Sequence, residues 1–213
     1  MTQQDSLSQA MADLAEEKAK KLVKEKIEAD VPASEILKEC QTGMAEIGKR
    51  YEEGKYFVSE LMYAGEIMKD IMADLGPMLS GEPKTESKLG KVVLGTVKGD
   101  IHDLGKDVVA LMLRGVGFEV IDLGVDVPPE KFVEAVKDSR AEIVGMSVFL
   151  TMAYEAATAT VNAIKKAGLR GKVSIMIGGG PVTDLVREKT GCDFYGKDAV
   201  AGTNYALEVA GAK

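Results

Sequence analysis

Three short segments hold residue types that could do chemistry. Gly99-Asp100-Ile101-His102-Asp103-Leu104-Gly105-Lys106 carries the chain's single histidine, with an aspartate two positions before it. Ser147-Val148-Phe149-Leu150-Thr151 sets two hydroxyls around an apolar centre, and Gly178-Gly179-Gly180-Pro181-Val182 opens on a glycine run. Imidazole is the commonest transition-metal ligand, and a carboxylate that holds one ring nitrogen fixes the tautomer and raises the basicity of the other. Asp100 can do this for His102 across so short a loop. The same Asp-x-His also reads as a surface histidine beside helix-capping aspartates, with Asp103 as the N-cap.

Other chemistries fit these residues less well. A phosphate-cradling loop requires GxxxxGK[ST], but five residues separate Gly99 from Gly105 and Asp107 stands where Ser or Thr should be. The dinucleotide pattern GxGxxG is absent from this loop. A phospho-receiver domain would place an aspartate where Ser147 stands. One histidine cannot build a Cys/His zinc set, and no GxSxG elbow accompanies it. Cys40 and Cys192 form neither a CxxC pair nor a disulfide framework, and read as two buried thiols in a reducing compartment. The net charge of -7 speaks against nucleic acid and against an anionic membrane surface. No apolar run approaches the ~20 residues of a membrane span, and Met1–Asp5 lacks the layout of a signal peptide. The expectation is a cytoplasmic protein with neither a nucleic-acid nor a membrane partner.

The elements that must position these residues fall into two halves. With 46% hydrophobic and 29% charged residues, the 213-residue chain can bury a core and is not expected to be disordered. Residues 1–79 carry only helical periods. Leu7, Met11, Leu14, Leu22 and Val23 form one apolar stripe. Ile36, Cys40, Met44, Ile47 and Tyr51 form a second, and Phe57, Leu61, Ala64, Met68, Ile71 and Leu75 a third. Asp30-Val31-Pro32 and Gly54 punctuate them, and a split near Ser8 would make three or four helices in a small bundle. Residues 80–88 are polar, with Gly81 and Pro83, and read as a linker. From residue 89 to 213 short apolar runs alternate with amphipathic stretches. Strands are expected at Val92–Val97, Phe118–Leu123, Ile143–Val148 and Val173–Ile177, with a weak fifth at Cys192–Tyr195. Helices are expected at 104–116, 129–138, 152–167, 182–189 and 198–209. Five β-then-α units predict a parallel sheet with helices on both faces. In a flavodoxin-like strand order (2-1-3-4-5), the loops after strands one, three and four meet at one edge, where open α/β sheets bind ligands.

Asp100-x-His102-x-x-Gly105, then Ser147, then Gly178-Gly179, resembles the B12-binding motif of corrinoid proteins, DxHxxG followed by SxL and GG. The intervals are 41 residues (106 to 146) and 28 residues (150 to 177), and both suit the family. The likeness covers nearly the whole chain. It implies a five-stranded, flavodoxin-like (Rossmann-like) α/β domain preceded by an all-α helical bundle that serves as a cap. It resembles most the small corrinoid carriers of methanol, methylamine, betaine and aryl methyl ether methyltransferase systems. The implied cofactor is cobalamin or a related corrinoid, with methylcobalamin as the loaded state. In this likeness His102 is the lower axial ligand to cobalt, Asp100 its hydrogen-bond partner, and Gly105 a place where the nucleotide tail passes close to the backbone. Ser147 and Thr151 are implied hydroxyl contacts to the tail, Gly178 and Gly179 leave it room, and Ile101, Asp103, Phe149 and Leu150 flank it. The implied partners are methyltransferases on the donor and acceptor sides and a reductive activase for cobalt. The implied chain is a carrier subunit rather than an enzyme in its own right, with the 80–88 segment as hinge and Met62, Met68 and Met72 as an apolar face for the corrin or as bundle core.

Two positions depart from the pattern: Phe149 replaces the Leu of SxL, and Ala153 stands where methionine-synthase-like members extend the His-Asp pair with a serine. Competing readings are the corrinoid subunit of an adenosylcobalamin-dependent mutase, a B12-dependent sensor, and a flavodoxin-like module that binds no corrinoid.

Overall fold

The computed structural model describes residues 6–79 and 89–212. The expected linker at 80–88, and the hinge assigned to it, lie outside the described residues. Two compact units result, one helical and one α/β.

The helical unit comprises α1 (Leu7–Ala12), α2 (Glu16–Glu28), α3 (Ala33–Glu52) and α4 (Val58–Leu79). Ser6 caps α1, its hydroxyl accepting the Gln9 N–H. The first break is not near Ser8. It falls after Ala12, where Leu14 takes φ +54° and turns the chain into α2. The expected breaks at Asp30–Pro32 and Gly54 are present, with Asp30 at φ +54° and Gly54 at φ +71°. The core is made by Leu7, Met11, Val23, Ile36, Cys40, Met44, Ile47, Leu61, Ile71 and Leu75. α1 and α3 approach at Gly43, where a Cβ would lie 2.4 Å from Met11 Cβ. Phe57 leaves its stripe: it is exposed in the turn ahead of α4, and its N–H donates to Glu60 Oε2 at 2.8 Å, half of a capping box. The three methionines divide, Met68 being core, Met72 half-buried and Met62 exposed.

The α/β unit holds five parallel strands, β1 (Lys91–Thr96), β2 (Glu119–Asp122), β3 (Ile143–Ser147), β4 (Ser174–Gly178) and β5 (Phe194–Gly196), in the order β2-β1-β3-β4-β5. Between and after them run α5 (Leu104–Val116), α6 (Pro129–Ser139), α7 (Tyr154–Lys166), α8 (Asp184–Thr190) and α9 (Ala199–Val209), with a 3-10 turn at Thr151–Ala153. The expected strands are all present, displaced by one or two residues. β1, β3 and β4 are nearly continuous in buried apolar residues, as a parallel sheet covered on both faces requires. One row of the register runs Thr96, Ser147, Gly178, Gly196 across the carboxyl ends of four strands. The order reverses between β1 and β3, so the loops after them open onto the topological switch point.

Candidate functional site

The loop after β1 turns at Gly99, φ +82°, whose N–H donates to Asp126 Oδ1 at 2.7 Å. The Asp126 N–H donates in turn to the Asp100 carbonyl at 2.9 Å. Asp100 is thereby pulled inward and is fully buried. Its Oδ1 lies 2.8 Å from His102 Nδ1 and accepts the His102 N–H at 3.1 Å. Its Oδ2 accepts two N–H groups from the loop after β3, Phe149 at 2.6 Å and Leu150 at 2.8 Å. Burial pushes the Asp100 carboxyl up. The Leu150 amide, the His102 ring, the His102 amide and the Phe149 amide outweigh it and hold the group at about 2. An ionised carboxylate only accepts, so Nδ1 carries the hydrogen and Nε2 presents its lone pair. The side chain of His102 is about half exposed.

Thr96, which carries no weight in the motif, fixes the far end of the loop: its buried Oγ1 donates to the His102 carbonyl at 3.0 Å. Asp103 takes the N-cap position of α5, its carbonyl accepting the Asp107 N–H. Ala153 is buried in the sheet's core, so no hydroxyl there extends the His-Asp pair. Two backbone amides occupy the outer oxygen instead. They stabilise the anion and cannot pass a proton along.

A cavity of about 260 Å³ opens at the same sheet edge, inside the α/β unit. Ser147 lines it together with Gly105, Gly145, Gly178, Gly179, Gly196 and Gly202. The Ser147 hydroxyl has no hydrogen-bond partner among the described residues. The glycines do different jobs. A Cβ on Gly105 would meet nothing within 4 Å and would enter open space, whereas one on Gly178 would lie 3.0 Å from the Gly196 carbonyl oxygen. Gly179, at φ +134°, would place a Cβ 1.9 Å from the Val148 oxygen. Thus Gly179 is demanded by the backbone of the fold itself, Gly178 sits at a tight backbone approach, and Gly105 borders open space in the cavity wall. Thr151, expected beside Ser147, is exposed in the 3-10 turn and does not line the cavity; nor do Ile101, Asp103, Phe149 or Leu150.

Signals for several lining or supporting residues were present but unread. Gly145 in the middle of a buried strand is one, since a strand glycine marks a close approach. Lys106, in the first turn of α5, lines the cavity. Its ammonium is committed to Asp122 (2.6 Å) and Asp107. Tyr154 donates to the Pro181 carbonyl at 2.7 Å and ties the loops after β3 and β4 together.

These residues fit a corrinoid. The loops after β1 and β3 and the start of α5 carry exposed apolar side chains, Ile101, Leu104, Phe149 and Met152, such as a flat macrocycle would cover. The glycine-lined slot next to them is of a size for one arm of a ligand rather than a whole one. Among the described residues, no group of three or more His, Cys, Asp or Glu is placed to hold a metal ion.

Comparison with known proteins identifies the family. Two family models, each described as a B12 binding domain, match residues 90–203 and residues 3–75. The chain is 39% identical over 188 residues to a dimethylamine corrinoid protein of Methanosarcina barkeri, covering 88% of each chain. It is similar to the crystal structure of a cobalamin-binding protein from Desulfitobacterium hafniense, with 38% identity, a TM-score of 0.79, and coverage of 95% of this chain and 96% of that one. It shares the fold of a chain in the methanol:cobalamin methyltransferase complex of Methanosarcina barkeri, with a TM-score of 0.84 at 23% identity, covering 98% of this chain and 79% of that one. No helix among the described residues is long and apolar enough to cross a membrane.

Proposed function

The chain belongs to the family of B12-binding corrinoid proteins, and from that premise we propose that it carries a methyl group on corrinoid cobalt between two methyltransferases. One takes the group from a specific donor and the other passes it to an acceptor. Relatives named for dimethylamine and trimethylamine, matched over 88% and 94% of their lengths, support a carrier of this kind. The helical match at 3–75 weighs for a carrier over the mutase-subunit reading, since a B12 module that serves a mutase has no need of it.

When bound, the corrinoid supplies a cobalt that accepts and releases a methyl group. The protein's part is to hold and tune it. His102 Nε2 would hold the cobalt, and Asp100 would fix the ring's tautomer and strengthen its donation. The α/β unit would hold the cofactor, and residues 6–79 form a helical unit of their own. Gly105 keeps the slot open for the nucleotide arm, and Ser147 offers it a hydroxyl. The exposed Thr151 and Ile101 and the half-buried Leu150 would flank the cofactor. In this reading the carrier works in the cytoplasm beside its methyltransferases, with a reductive activase as a further partner.

The observation that carries the reading is the buried Asp100 carboxylate, which leaves Nε2 of an accessible imidazole free beside the slot. Reconstitution with hydroxocobalamin tests it. The wild type is expected to bind tightly and to show a cobalt spectrum with an imidazole ligand. His102→Ala is expected to lose that spectrum and to bind about tenfold or more weakly. An unaltered spectrum in His102→Ala would remove the ligand role.

A further inference from the structure

One hydrogen bond holds an atom of the imidazole but does not hold its plane. Asp100 Oδ1 grips His102 Nδ1 at 2.8 Å, and the ring keeps freedom to swing about that contact. The Phe149 ring lies against it, with centroids 4.3 Å apart and planes 32° apart. Phe149 is itself fixed from two sides. Its N–H donates to Asp100 Oδ2 at 2.6 Å, and its ring edge packs at Gly180, where a Cβ would sit 3.1 Å from Phe149 Cε2. So the carboxylate that grips the histidine also anchors the backbone of the residue that braces its face.

We infer that Phe149 is a positioning residue, whose ring holds the plane of His102 so that Nε2 faces outward before any metal arrives. The inference rests on the ligand role proposed for His102. It assigns a function to the very position where the chain departs from the SxL pattern. Leucine offers a flexible branched contact to an imidazole, whereas an aromatic ring offers a broad rigid one and restricts rotation of the ring it lies against. The backbone N–H to Asp100 is the same for any residue at 149, so side-chain substitutions isolate the ring. Phe149 is half exposed, so its replacement leaves no core cavity.

The test uses the full chain. Because His102 is the single histidine, every imidazole resonance in the apoprotein is its own. In wild type the carbon-bound ring protons should be displaced by the Phe149 ring current and show Overhauser contacts to it. Phe149→Leu should lose both without a change in thermal midpoint, and Phe149→Tyr should keep both. With hydroxocobalamin, Phe149→Leu and Phe149→Ala should bind about tenfold more weakly. After one-electron reduction to the cobalt(II) state with a chemical reductant, they should also show a smaller fraction of cobalt whose nitrogen hyperfine pattern responds to 15N labelling of histidine. Phe149→Tyr should restore affinity and ligation. Wild-type affinity and complete histidine ligation in Phe149→Leu would overturn the inference. His102→Ala separates the two claims: if it changes the cobalt spectrum while Phe149→Leu does not, only the positioning role fails, and if it leaves the spectrum unchanged, the ligand role fails with it.

Discussion

Asp100 accepts from four donors, two on each oxygen, and no neutral isostere can do the same. Asparagine brings one accepting oxygen and one NH2 group. If the NH2 faces Phe149 and Leu150, buried donors meet head-on at about 1–3 kcal/mol for each amide left unpaired. If it turns toward His102, it donates to Nδ1, the ring hydrogen moves to Nε2, and the lone pair meant for metal is gone. Either outcome spoils the ligand. Asp100→Asn is therefore expected to weaken hydroxocobalamin binding about tenfold to a hundredfold. In the apoprotein it is expected to shift the two imidazole 15N resonances toward the Nε2–H pattern. A titration and one nitrogen-correlated spectrum would check both; wild-type values in each would mean that the carboxylate only packs. The pairing was legible because the two residues stand two apart. The donors on the outer oxygen were not, because main-chain amides of any residue at 149 and 150 could supply them. Thr96 was equally silent, as a threonine at a strand end is ordinary β composition.

At the scale of elements, the glycines separate folding from binding. Gly179→Ala drives a Cβ into the Val148 carbonyl at a left-handed φ, and should cost folding stability whether or not ligand is present. Gly105→Ala adds its methyl to open space in the first turn of α5. It should leave the apoprotein as stable as wild type or slightly more so, by up to about 1 kcal/mol of helix propensity. Yet it should bind corrinoid more weakly, because that methyl enters the slot. Thermal midpoints of the two apoproteins with one binding titration decide this; a destabilised Gly105→Ala with undiminished affinity would reverse the assignment. The same contrast explains what could be read beforehand. The strand order and the three convergent loops follow from five apolar runs separated by amphipathic ones, and these patterns are carried by many residues. Single-residue events are not. Leu14 turns the chain at positive φ with no glycine or proline to announce it, while Ser8 looks like a cap and Ser6 is the one used. Phe57 fits its stripe by spacing, yet stands before the helix begins and so faces outward. The fifth strand has only three residues, and its expected start at Cys192 falls in the turn that precedes it.

For the molecule as a whole, each unit has its own buried thiol, Cys40 within α3 and Cys192 ahead of β5. Burial pushes the Cys40 thiol up to about 12 and the Cys192 thiol up to about 11. An unfolded thiol titrates near ~8.5. A folded value raised above the unfolded one contributes stability that is complete below about pH 8.5 and is lost as pH climbs toward 11 and 12. Both units should therefore weaken progressively in alkali, and at pH 8 neither thiol should react in the native protein, since the reactive species is the thiolate. Labelling across a denaturant series then reports each unit separately. A corrinoid at a hundred times its dissociation constant adds about 2.7 kcal/mol to the unit that holds it. Cys192 is expected to gain this full protection from hydroxocobalamin, and Cys192 labelling that ignored saturating ligand would place the site outside the α/β unit. The share of the gain that Cys40 also acquires is the coupling free energy between the two units. A helical domain that takes part in holding the ligand must show such a share, and one that is only joined to its neighbour by chain must show none.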